Sequence, residues 1–140
     1  MSKSFTAVAV VVALIAGYVI SLLINQQQFT AGGSCGGNYC AGVTVKNGKI
    51  SDIPDIKVQG GNVVITWTIG TQGYTFPANG IGSFTPTPPA GEFQCVNSAT
   101  VFTCIDKNTV SGSGPKRYKY TVTLDGSPPA TPLDPYIINN

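Results

Sequence analysis

Few residues in this chain have side chains that could do chemistry. Four cysteines (Cys35, Cys40, Cys95, Cys104) and six acids (Asp52, Asp55, Glu92, Asp106, Asp125, Asp134) stand in 140 residues without one histidine. That absence removes the commonest general base and the commonest metal ligand together. A serine or cysteine nucleophile would have no imidazole to activate it. The only methionine is Met1, so no thioether is available to a soft metal further along the chain. Cys-x4-Cys and Cys-x8-Cys stand more than fifty residues apart and match no zinc, iron–sulfur or haem-attachment spacing. The acids fall mostly at turns and form no evident acid–base pair, and no glycine-rich phosphate loop opens a helix. The expectation is a protein that is not an enzyme, with no catalytic residue, no cofactor and no metal.

The cysteines have a structural reading instead. An even number in a small, turn-rich domain outside the cytoplasm implies two disulfides. Cys95 and Cys104 flank a turn at 97–100 and lie in the strand-like runs at 93–96 and 101–105. Opposed residues of an antiparallel pair have Cα atoms about 4.5–5.5 Å apart, within reach of a disulfide. The expected pairing is Cys95–Cys104 with Cys35–Cys40, and the other two connectivities remain open. Lipidation of Cys35 is disfavoured, because AGGSC lacks a preceding apolar residue and lies far from the apolar run.

That run, residues 5–24, reads FTAVAVVVALIAGYVISLLI and carries no charge and no proline. As a helix it is about 30 Å long, the thickness of a bilayer's hydrocarbon core. It exceeds the usual apolar core of a secretory signal, and no small-x-small cleavage site follows it. A retained single-pass anchor is expected. Ala9, Ala13, Gly17 and Ser21 recur every fourth residue, giving a small-residue face suited to packing against another membrane helix. Lys3 precedes the span and no Lys or Arg follows until Lys46. The positive-inside rule therefore places the N-terminus in the cytoplasm and the rest of the chain in the periplasm or its equivalent. The localisation expected is the inner (cytoplasmic) membrane.

The sequence divides into an anchor (1–25), a polar, Gly-rich linker (26–40) and one domain (41–140). Only 10% of residues are charged, with 17 Gly and 10 Pro, the makeup of a turn-rich β domain. A net charge of +2 is too small to imply nucleic acid as a partner. Asn47-Gly48 marks a hairpin. Residues 62–69 alternate, with Val63, Ile65, Trp67 and Ile69 on one face and Trp67 expected in the core. Residues 77–91, with four prolines, read as a long loop. Residues 117–124 alternate again through Tyr118, Tyr120, Val122 and Leu124, and residues 133–138 form a last strand. About eight short strands predict an all-β antiparallel sandwich after a single transmembrane helix.

Two surfaces could serve contact. Lys116, Arg117 and Lys119 form the only basic cluster, either a solvated strand face or a docking patch for an acidic partner. Tyr74, Phe76, Ile81 and Phe84 punctuate the Gly- and Pro-rich stretch 71–90, either capping the sandwich or lining an interface.

The runs IKVQGGNVVITWTI (56–69) and YKYTVTL (118–124) resemble the glycine-turn and Trp strands, and the Tyr-x-Tyr strand, of cupredoxins. The resemblance spans about residues 43–138 and implies a Greek-key sandwich. In that family two His, a Cys and an axial Met hold copper. Here Val122 occupies the cysteine's position, residues 70–79 supply no His, and 125–131 supply neither His nor Met. The resemblance therefore implies the scaffold without its copper site, and a scaffold does not fix a function.

The function expected is that of a non-catalytic accessory subunit of a membrane complex, with other membrane subunits and the lipid bilayer as partners. By analogy with the scaffold, an energy-transducing assembly, respiratory or photosynthetic, is the leading setting. A membrane-anchored binding module recognising its ligand through 71–90 is the alternative. A pilin-like filament subunit is a weaker one.

Overall fold

The computed structural model describes residues 39–109 and 114–140. The expected anchor, the expected small-residue face at Ala9, Ala13, Gly17 and Ser21, and most of the expected linker lie outside the described residues, as does Cys35. Among the described residues there are twelve strands and no helix, hence none long and apolar enough to cross a membrane.

The strands are β1 (Cys40–Val43), β2 (Val45–Lys46), β3 (Lys49–Ile50), β4 (Ile56–Val58), β5 (Val63–Ile69), β6 (Tyr74–Thr75), β7 (Ile81–Thr85), β8 (Phe93–Asn97), β9 (Val101–Asp106), β10 (Lys116–Val122), β11 (Asp125–Gly126) and β12 (Tyr136–Asn139). They form two four-stranded sheets, ordered β1-β5-β9-β8 and β4-β12-β10-β7, with the small pairs β2–β3 and β6–β11. Side chains from both large sheets meet in one core. The alternation of β5 puts Ile65 and Trp67 inside, and that of β10 puts Tyr118, Tyr120 and Val122 inside, all nearly without solvent contact. Trp67 meets Tyr120 edge-on, ring centroids 5.5 Å apart, and its indole Nε1 donates to the Tyr120 hydroxyl at 3.0 Å.

The β2–β3 hairpin turns through Asn47 and Gly48, with φ of 51° and 70°, the positive pair that a two-residue loop demands. Cys95 and Cys104 oppose one another across β8 and β9 and are joined by a disulfide, Cα atoms 4.0 Å apart.

Three features differ from the expectation. Two pairings, β1 with β5 and β4 with β12, are parallel, so the sandwich is mixed and not purely antiparallel. The chain leaves the first sheet after β1, places β4 in the second and returns as β5. Such a crossover is what a parallel pair requires.

Residues 77–91 are not one long loop, because β7 lies within them and pairs with β10. Gly82 faces Thr121 and Thr85 faces Lys119, so β7 holds one residue more than its partner across that interval. Ser83 has a φ of 52° there, and such a bulge breaks the period-two pattern by which a strand is recognised. The last strand begins at Tyr136 and reaches Asn139, beyond the expected 133–138.

Candidate functional site

The described residue with the clearest unmet chemistry is Asp106, the last residue of β9. The β8–β9 register that opposes Cys95 to Cys104 also opposes Phe93 to Asp106. Glu92, one residue earlier, is thereby carried to the same end, where its carbonyl accepts from the Lys107 N–H at 2.9 Å. β12 brings Asn139 to that end from the other sheet. Glu92, Asp106 and Asn139 are 2%, 0% and 1% exposed, so two carboxylates lie in the interior within one hydrogen-bonded group. The acids show no evident pair along the sequence, and the β8–β9 register brings these two to one end.

Neutral groups hold this group together. The Asn139 amide Nδ2 donates to Asp106 Oδ1 at 3.1 Å and to Glu92 Oε1 at 3.5 Å. The Asn108 N–H donates to Asp106 Oδ1 at 2.8 Å. The Thr109 N–H donates to Glu92 Oε1 at 2.8 Å, and the Thr109 hydroxyl donates to Glu92 Oε2. Asn108 itself has a φ of 49°, and its Nδ2 ties in the carbonyls of Gly60 and Asn140 at 2.9 and 3.1 Å. Burial pushes the Asp106 carboxyl up to about 6, and the Glu92 charge adds to the shift. The Asn108 N–H and the Asn139 amide oppose it. Among the described residues the ion pairs are Arg117–Asp55 and Lys119–Asp134, so neither buried carboxylate has a cationic partner.

Asp106 Oδ2, Asn139 Oδ1, Asn108 Oδ1 and Tyr118 Oη are buried without a hydrogen-bond partner. All four belong to this end of the sandwich, since Tyr118 packs edge-on against Phe93 at 5.3 Å. Three of the four are pure acceptors. The arrangement offers no nucleophile and no imidazole, so what it can do is hold a proton or a hard cation. No three His, Cys, Asp or Glu side chains converge on a metal site among the described residues. The oxygens here are two carboxylates and two amides.

The other expected surfaces are placed as follows. Arg117 reaches Asp55 at 3.7 Å and stacks over the Tyr136 ring at 4.3 Å. Lys119 reaches Asp134 at 3.8 Å, an acid that also accepts from the Thr121 hydroxyl at 2.8 Å. Lys116 lies over the Tyr118 ring at 5.4 Å. The basic strip is therefore interleaved with its own acids and aromatics, which lowers its net field. Tyr74, Phe76 and Ile81 are core side chains, 7%, 4% and 4% exposed. Phe84 is half-buried and stacks on Phe93 with centroids 4.4 Å apart, closing the gap between β7 and β8. Cys40 is half-buried in β1, and its expected pairing with Cys35 falls outside the described residues. Val122, where the resemblance places a copper cysteine, is a fully buried core residue.

The Glu92–Asp106 meeting had one signal in the sequence: if Cys95 faces Cys104, the same register sets Phe93 against Asp106. Asn139 had none, because nothing local shows which sheet edge the last strand joins. Neither a family model nor a curated protein sequence matches this chain.

Proposed function

We propose that this chain is a non-catalytic accessory subunit of a membrane protein complex. Its N-terminal helix docks laterally against neighbouring subunits in the inner membrane, and its β domain braces them on the periplasmic side. The observation that carries this reading is the uncharged span 5–24 with Ala9, Ala13, Gly17 and Ser21 on one helical face. In lipid, close backbone approach at such a face is the main source of helix association. The β domain adds support from its chemistry, since with no histidine in the chain contact is a more plausible task for it than turnover.

The cupredoxin-like, Greek-key reading of the sandwich belongs to this proposal. It draws support from Trp67 and Tyr120, which join the two sequence runs that carry the resemblance. The energy-transducing setting follows by analogy of scaffold alone.

The test is purification of the complex in mild detergent with Gly17→Leu in this chain. A leucine on the small-residue face forces the helices apart, so a neighbouring subunit is lost from the preparation. Unchanged subunit composition would count decisively against helix docking. A second reading, an anchored binding module, is favoured by one observation: residues 85–91 (TPTPPAG) are exposed apart from Pro88, which is half-buried. Proline-rich extended segments are recognised at low entropic cost. Replacing 86–90 would then abolish partner capture while leaving the complex assembled.

A further inference from the structure

We propose that the Glu92, Asp106, Asn108 and Asn139 oxygens at the β8–β9–β12 end form a site for one hard divalent cation, with Ca2+ the best match. Two buried carboxylates bring a formal charge of −2 into a region from which water is excluded. Uncompensated burial of charge is among the costliest arrangements a fold can hold. Neither carboxylate takes part in an ion pair among the described residues. The second observation is independent of the acids: Asn139 is 1% exposed, its amide nitrogen reaches both carboxylates, and its Oδ1 has no partner. Asn108 Oδ1 and Asp106 Oδ2 are buried and unpartnered as well.

A proton alone answers only part of this. Protonated Asp106 gains one O–H donor for an amide oxygen, but it leaves the Glu92 carboxylate buried with its charge uncompensated. A divalent ion accepts several oxygens at once and cancels both charges. The donor set contains oxygen only, which selects a hard cation over zinc or copper. Mixed carboxylate and amide oxygens suit the irregular coordination of Ca2+ better than the strict octahedron of Mg2+, which retains its waters. The site would tie β8, β9 and β12 together across both sheets. It stands whether or not the chain is a membrane subunit.

The test adds Ca2+ to the chelator-treated full-length chain in detergent at pH 7.5 and follows thermal unfolding. The expected result is a saturable rise in midpoint, on the order of 10 °C at a hundredfold excess over Kd. The rise is lost in E92Q and in D106N and kept in D52N, which alters an exposed acid elsewhere. The wild-type rise is larger with Ca2+ than with Mg2+ at the same concentration, because the irregular oxygen set does not meet the octahedron of Mg2+. That comparison needs no variant to fold. No response of the wild-type chain to millimolar Ca2+, an equal rise with Mg2+, or a rise that survives E92Q and D106N would overturn the site.

Discussion

Asp106 is the residue at which burial and charge are in open conflict. Its folded-state carboxyl, pushed up to about 6 from an ordinary 3.8, binds a proton more tightly than the unfolded chain does. Between about pH 4 and pH 6 the native state therefore holds the extra proton, so stability falls as pH rises through that window and levels above it. The displacement corresponds to about 3 kcal/mol. In chelator, Asp106→Asn removes that fall, since an amide presents a donor at every pH much as the protonated acid does. Denaturant midpoints measured from pH 4 to pH 8 check this, and a D106N profile as steep as wild type would refute it. The Glu92 neighbour was readable in advance, because Cys95 facing Cys104 sets Phe93 against Asp106. Asn139 was not, because its place depends on a parallel partnership with β4 and an antiparallel one with β10.

The β8–β9 hairpin is an element whose order rests on one covalent link. The Cys95–Cys104 disulfide closes a short loop with a sequence separation of 9, and loop-closure entropy for that length is about 2.5 kcal/mol. Replacing both cysteines by alanine is expected to lower unfolding stability by that order, read from chemical denaturation. A loss below about 0.5 kcal/mol would show that packing alone sets the hairpin. The β6–β11 pair depends instead on a missing side chain. A Cβ on Gly126 would sit 2.7 Å from the Gly73 carbonyl oxygen and against the Tyr74 ring. That ring is buried, and its hydroxyl donates to the Pro128 carbonyl at 2.7 Å, so it has nowhere to move. Gly126→Ala should cost about 1–3 kcal/mol, measured as a drop in denaturation midpoint. β5 and β10 were legible as strands because their alternation is unbroken. β7 was hidden by its bulge and by the prolines around it.

At the scale of the molecule, a mixed β-sandwich is proposed to hang from an apolar span and to work by contact. Gly17→Leu addresses the span: if the small face packs on a neighbouring helix, the variant leaves the β domain folded but depletes that neighbour from the purified complex. Circular dichroism of the variant separates loss of assembly from loss of fold. Composition and period were enough to indicate an all-β domain with Trp67 inside, and to prefer Cys95–Cys104 among three open connectivities, because alternation and turn chemistry are local properties written in consecutive residues. The parallel partnerships of β1 and β4, the strand within 77–91 and the arrival of Asn139 beside Glu92 and Asp106 were decided only by tertiary structure. Each depends on which distant segments share a sheet edge, and that choice is made by burial summed over the whole core, not by any local run of sequence.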